Sequence, residues 1–274
     1  MSPLYKAPSE HGHHTVFKPG QDGIEWLGLD MLRLKAGERW QGSFGQVETA
    51  FVILGGRCHL TLAGPQPNTW HNLGGRADVF SGAGTTVYLP PKAEIEVEAV
   101  SGLEVALASS PCDVELPPVV IGPDDVKVIS AGASNWRRDV RLMIPPGSPI
   151  SQRMIVGETL NPPGNWSGVP PHKHDLNSDI ENFLEEFYLF KARPGDGYGV
   201  QLMYHDDQGE GLLVGDNRVS VMLKGYHPTV AAPGVTLCYL WVLAGEVKDY
   251  DITIDPRFGW VAQTESVLRE NRNG

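Results

Sequence analysis

Helical periodicity is almost missing from this chain, and that constrains the fold more than any other feature. Short apolar or alternating runs recur instead, separated by Gly, Pro and Asp. A first series comprises Leu29–Leu34, Thr49–Leu54, Cys58–Leu62, Thr86–Leu89, Ile95–Val100 and Val105–Ala108. A second comprises Arg153–Val156, Phe187–Phe190, Val200–Tyr204, Gly211–Val214, Val219–Leu223 and Thr236–Leu243. These are strand lengths, rich in Val, Ile, Leu, Phe and Tyr. The 32 Gly and 22 Pro suit tight turns between strands. Only a turn around Gly122–Val126 and the tail near Thr264–Arg269 suggest anything helical. The expectation is an all-β chain.

The two series read as a repeat. In the first half, Glu48 precedes an apolar strand, a turn at Gly55-Gly56-Arg57, a second strand, and later Tyr88-Leu89-Pro90-Pro91. In the second half, Glu186 precedes an apolar strand, Pro194-Gly195, further strands, and Leu223-Lys224-Gly225-Tyr226-His227. Weak self-similarity with a period of about 135 residues is what a duplicated β-barrel leaves. The architecture that fits is a pair of jelly-roll barrels, each closing its own strand edges. The boundaries expected are 1–120 for the first barrel, 121–150 for a linker rich in Pro, Gly and charge, and 151–274 for the second.

The strongest local signal is Pro170-Pro171-His172-Lys173-His174-Asp175. Residues i and i+2 of a strand project to the same face, so both imidazoles can enter a barrel while Lys173 points out. A lone HxH pair is weak, but Glu185-Glu186 then opens an apolar strand, where a carboxylate is costly without a partner. Much later, His227 follows a glycine turn in Lys-Gly-Tyr-His-Pro.

Histidine pair, glutamate and distant Gly-x-His together resemble the two signature motifs of the cupin superfamily. That resemblance implies two tandem cupin barrels and a ligand set of His172, His174, a glutamate and His227. In the cupin pattern the ligand immediately precedes an apolar–x–apolar strand, which favours Glu186 over Glu185. Strand neighbours face opposite ways, so one of the two reaches the ion. Two of six positions on an octahedral ion stay open for substrate oxygens. Imidazole plus carboxylate admits Zn, Mn, Fe, Co or Ni. Leu223 stands where the motif proline is usual. The first half has Glu48 at cupin spacing but no histidine in Glu38–Gln46, and Glu94 or Ile95 falls in the place of His227. One divalent metal per chain, in the second barrel, is the expectation.

Other histidines carry blander readings. His11, His13 and His14 read as a solvated, partly ordered tail, and His59, His71 and His205 as packed or surface residues. Arg137, Arg138 and Arg141 read first as salt-bridged contacts and second as a clamp for a substrate carboxylate. Arg153, Tyr188, Gln201 and Tyr204 are candidates to face the cavity. Trp166 and Trp241 read as packing, and Cys238 as a small buried hydrophobe.

Longer motifs carry a narrower resemblance. Pro163-Gly164-Asn165-Trp166-Ser167-Gly168-Val169-Pro170-Pro171-His172-Lys173-His174-Asp175 is similar to the 5-deoxy-glucuronate isomerase family of myo-inositol catabolism. So are Gly225-Tyr226-His227-Pro228, Ala232-Pro233-Gly234 and the run from Tyr239 to Gly245. Leu73–Phe80, Tyr88–Pro91 and Asn135–Arg141 extend the likeness through the first half and linker. The 4-deoxy-5-keto-uronate isomerases are more distantly similar.

The resemblance implies a metal-dependent aldose–ketose isomerase converting 5-deoxy-glucuronate to 5-dehydro-2-deoxy-gluconate. Its ion would chelate carbonyl and neighbouring hydroxyl, by way of an enediolate or a hydride shift. Competing readings are an Fe(II) cupin dioxygenase and a non-catalytic sugar-binding cupin, which fold and ligands alone do not separate.

Composition narrows the partners. A formal net charge of −11 argues against nucleic acid and anionic membranes, though not against a small anionic sugar acid held locally. Three cysteines, none in a CxxC pair, fit a reducing cytoplasm. The polar start shows no signal-peptide pattern, and no apolar stretch approaches 18 residues. A homo-oligomer is expected.

Overall fold

The computed structural model describes residues 3–64 and 67–270, without the side chains of 269 and 270. It is all-β, with one α-helix, Trp260–Glu270, and the chain divides into two compact units. One unit comprises residues 6–127 and 143–156. The other comprises 1–5, 128–142 and 157–274.

The first of these carries a six-stranded sheet in the order Val119–Ile121, Thr85–Leu89, Val47–Gly55, Leu103–Pro111, Gly28–Leu34, Gly12–Phe17. A four-stranded sheet runs Arg39–Ser43, Glu94–Ala99, Arg57–Leu62, Asn68–Gly74. Strand alternation sends Phe51, Ile53, Val87, Leu89, Val105 and Leu107 of the larger sheet into one core with Leu60, Ile95 and Val97 of the smaller. Burial of that shared face holds the sheets together, at roughly 25 cal/mol per Å² of apolar surface.

The second unit repeats the plan. Its larger sheet runs Leu4–Lys6, Arg218–Met222, Glu185–Arg193, Thr236–Ala244, Met154–Asn161, Arg138–Ile144, Lys127–Ala131. The smaller runs Trp166–Ser167, Thr229–Ala231, Tyr198–His205, Gln208–Gly215. Tyr188, Phe190 and Ala192 point into its core with Met203, Val214, Met222, Leu237 and Tyr239. Two tandem jelly-roll barrels, as the sequence predicts, are therefore present.

Every strand expected from the apolar runs exists, within a few residues at its ends. The His11–His14 segment departs from expectation: Gly12–Phe17 is an edge strand paired with Gly28–Leu34, not a loose tail. Its alternation is polar on both exposed and half-buried positions, so no apolar period betrays it. His13 stacks on Trp40 at 5.1 Å and lies 3.4 Å from Asp30. The helix starts four residues before the predicted tail at Thr264. Gly122–Val126 is a turn, closed by Asp125 N donating to Gly122 O at 3.0 Å. The segment 121–150 contains the strands Lys127–Ala131 and Arg138–Ile144.

Candidate metal centre

Three segments of the second unit converge on one point. The strand His172–Lys173 pairs with Thr253–Ile254, which sets His172 and, just past the strand end, His174. Glu186 sits second in Glu185–Arg193, opposite Met222 on one side and Leu243 on the other. It shares its face with Tyr188 and Phe190 and so points into the barrel, while Glu185 points away. His227 follows Gly225, whose φ of +85° and whose position beneath Tyr204 O, 2.6 Å from any added Cβ, require glycine.

The three imidazoles place one ring nitrogen each within 4.8 Å of one another. Glu186 Oε2 lies 3.2 Å from His174 Nε2 and 3.1 Å from His227 Nε2. His174, His227 and Glu186 are buried, and His172 is half-buried.

Backbone carbonyls fix the tautomers. His174 Nδ1 donates to Leu184 O at 2.6 Å and His227 Nδ1 to Gly225 O at 3.0 Å. His172 Nδ1 faces Pro170 O at 3.5 Å. A neutral imidazole with its proton on Nδ1 has a lone pair on Nε2. His174 Nε2 meets Glu186 Oε2 in a hydrogen bond at 3.2 Å and His172 Nε2 meets the Tyr250 hydroxyl at 3.0 Å, contacts that a bound cation would replace. His227 Nε2 is buried and, despite its 3.1 Å approach to Glu186, forms no hydrogen bond. Carbonyl-oriented histidines beside a carboxylate fit the needs of a divalent ion.

Electrostatics separate the members of the cluster. Burial, reinforced by the two neighbouring imidazoles, pushes His172 down to about 3, so it is a neutral donor. Burial opposes the charge on Glu186, but His174 and His227 outweigh it and hold the carboxyl at about 2. His174 is raised: burial works against its proton, and Glu186 overcomes it.

A second layer ties the segments together. Lys173 faces away from the histidines and is buried in ion pairs with Asp175 and Glu181. Glu181 also accepts from the Asp175 and Leu176 amides at 2.7 and 2.9 Å. Asp175 accepts from Gly225 N at 2.8 Å, clamping the HxH segment to the turn that presents His227. Leu184 N donates to His174 O at 2.9 Å, closing the intervening loop.

Of the candidates for the cavity, Tyr188 is there, its ring 6.2 Å from that of His227. Gln201 is fully buried, with Nε2 on Met222 Sδ at 3.4 Å. Tyr204 is elsewhere, donating to Asp255 Oδ2 at 2.8 Å. Arg153 belongs to the other unit, over the Trp26 ring at 4.6 Å. His59 and His71 pack on each other at 5.0 Å, and His205 is exposed beside Asp206. Trp166 and Trp241 are half-buried, and Cys238 is buried.

Sequence reasoning missed Tyr250. Its hydroxyl lies 3.0 Å from His172 Nε2, on a loop held where Asn182 Nδ2 donates to Asp249 O at 3.2 Å and to Asp251 Oδ2 at 3.1 Å. Nothing in the irregular segment Glu246–Asp251 signals that approach. A cleft of about 1000 Å³, lined among others by Trp136, Trp166, Tyr204 and Trp260, opens near Pro171 but includes none of the four clustered residues.

Two jelly-roll barrels in one chain, with histidines gathered inside the second, define a bicupin. The chain belongs to the KduI/IolB family, whose model matches residues 4–261. It is 34% identical over 268 residues to a 5-deoxy-glucuronate isomerase of Geobacillus kaustophilus, covering 96% of each chain. The corresponding Bacillus subtilis enzyme is 31% identical over 274 residues, covering 96% of this chain and all of that one. The crystal structure of an IolB-like protein from Salmonella typhimurium superposes with a TM-score of 0.90 at 30% identity, over 96% of this chain and all of the other. An oxalate decarboxylase of Lactobacillus farciminis shares the fold at a TM-score of 0.68 and 13% identity, over 99% of this chain and 93% of its own. The chain is an isomerase. No helix among the described residues is long and apolar enough to cross a membrane.

Proposed function

We propose that this chain is a metal-dependent aldose–ketose isomerase that converts 5-deoxy-D-glucuronate to 5-dehydro-2-deoxy-D-gluconate in myo-inositol catabolism. The observation that carries the reading is the cluster of three imidazoles, two of which place Nε2 3.2 and 3.1 Å from the Glu186 carboxylate. His172, His174, Glu186 and His227 are the ligands in this reading, and one divalent ion of the Zn, Mn, Fe, Co or Ni group is the cofactor. Bound there, such an ion polarises a substrate carbonyl and its neighbouring hydroxyl and stabilises the charge that builds on both oxygens.

The chain's own residues prepare that chemistry. Carbonyl contacts at Leu184 and Gly225 hold His174 and His227 in one tautomer and orientation. Asp175 and Lys173 keep the histidine segments in register. Buried Tyr188, Tyr239 and Phe190, packed against one another, exclude water from the inner wall. Tyr250, at the half-open side beside His172, presents a hydroxyl able to donate to a substrate oxygen. The reaction is redox-neutral overall: the aldehyde carbon gains the hydrogen that the adjacent carbinol carbon loses.

The same reading has the enzyme working in the cytoplasm as a homo-oligomer on a small anionic sugar acid. Three buried cysteines, none in a disulfide, fit that compartment. The test is incubation of purified protein with 5-deoxy-glucuronate, followed by NMR. Conversion to the ketose that stops with chelator and returns with metal supports the reading. Undiminished conversion by metal-stripped protein, or none with any of these ions supplied, contradicts it.

A further inference from the structure

Among the described residues, the half-buried cation Arg138 has no anionic partner. It opens the strand Arg138–Ile144. Arg141, three residues on, lies on the opposite face and pairs with the buried Glu158 at 3.2 Å. Alternation turns Arg138 toward the face that carries Thr159, next to Glu158 on its own strand. Thr159 Oγ1 accepts from Trp241 Nε1 at 3.1 Å. That face continues through Tyr239 and Tyr188, stacked at 4.4 Å, to the His227 ring. Burial raises the phenol pKa of Tyr188, Tyr239 and Tyr250, and the Arg138 charge is among the effects that counter it. Arg138 therefore shares its surroundings with the wall of the histidine site.

Its own contacts are few. Nη1 donates to Trp136 O at 3.3 Å and to Val169 O at 3.4 Å, both long bonds to neutral carbonyls. Among the described residues no carboxylate pairs with it. Gly132 lies beneath the guanidinium, where a Cβ would come within 2.8 Å of Nη1. The side chain is thus held in place while most of its donors remain available. A partly desolvated guanidinium held this way favours an anion, and its planar fork suits a carboxylate.

We propose that Arg138 recognises the carboxylate of a sugar-acid substrate and sets the preference for acids over neutral sugars. The inference rests on the isomerase reading, in which the carboxylate and the reacting aldehyde lie at opposite ends of a six-carbon chain. It assigns the two ends to two groups: the acid to Arg138 and the aldehyde to the histidine cluster.

The test uses R138Q, R138K and, as control, R137Q at an exposed position. D-Gluconate, an inert sugar acid, is titrated calorimetrically into the metal-free protein, with neutral sorbitol in parallel. R138Q should weaken gluconate binding about 10- to 100-fold, the range for losing a charge-assisted hydrogen bond. R138K should recover only part, R137Q should match wild type, and sorbitol should be indifferent to all three. In metal-loaded enzyme, R138Q should raise KM for 5-deoxy-glucuronate by a similar factor while metal content stays the same. Equal gluconate binding by R138Q and wild type, or none by wild type, overturns the assignment. Loss of gluconate binding in R138Q, together with no isomerisation by the wild type, would leave Arg138 as a sugar-acid contact and remove the isomerase reading instead.

Discussion

Each barrel opens its central strand with a glutamate, and the two carboxylates face opposite ways. Glu186 shares the inward face with Tyr188 and Phe190, among the histidines. Glu48 is out of phase with Phe51 and Ile53, so it points away from its barrel's core. Thr49 holds the inward position instead, opposite Leu89 and Ser109. Glu48 is fully buried and accepts from the amides of Gln152, Arg153 and Met154 at 2.7, 2.8 and 3.1 Å, and from Tyr88 OH at 3.0 Å. One carboxylate faces the Nε2 atoms of two imidazoles, 3.2 and 3.1 Å away. The other is surrounded by N–H and O–H donors. A shift of one residue along a strand separates the two uses.

Substitutions sharpen the contrast. The largest effect is expected for His174→Ala, which should lower metal affinity more than about 100-fold and abolish turnover with both barrels folded. Metal analysis of dialysed protein and far-UV circular dichroism check this. A loaded, active variant would break the comparison at its functional end.

Glu48→Ala should act on stability instead. It strands three buried amides and a phenol, at about 1–3 kcal/mol for each unsatisfied group, so a loss of about 3 kcal/mol or more is expected. Urea midpoints measure that loss. Metal content per folded molecule should not change, and a loss of metal would mean that the carboxylates are not divided as described.

Asp175→Asn sits between these extremes. It weakens the clamp from Lys173 to Gly225 and should cut metal affinity about 10- to 100-fold, leaving saturated activity near normal. Competition with a metal-sensitive dye measures it. Unchanged affinity would mean that the histidine segments hold their positions without the clamp.

The smallest effect belongs to the first barrel's core. Burial pushes the Cys58 thiol up to about 12 from an ordinary value of 9. A raised acid binds its proton more tightly folded than unfolded, so its contribution is complete below about pH 9 and is lost as pH rises toward 12. At pH 10 the loss is roughly 1 kcal/mol. Stability of Cys58→Ala should therefore decline less steeply between pH 9 and 10.5 than that of wild type. Matching slopes would show the thiol to be solvated.

The strands were legible because apolar residues in short runs between Gly and Pro have few other places to go. His172, His174 and His227 were legible as a group because i, i+2 spacing and a glycine turn constrain where side chains point. The facing of Glu48 was not, since a carboxylate before an apolar run gives no phase until its strand partners are known. The strand Gly12–Phe17 was hidden by its polar edge. Tyr250 and the Lys173–Asp175–Glu181 network depend on loops that meet only after folding. Asp175 reaches Gly225 across fifty residues of chain, and no local pattern records that.

Crystals of metal-loaded protein, measured across the absorption edge of the bound ion, test the central claim most directly. One strong anomalous peak per chain is expected, coordinated by the Nε2 atoms of His172, His174 and His227 and by the Glu186 carboxylate. A peak elsewhere, or His227 turned from the ion, would contradict it.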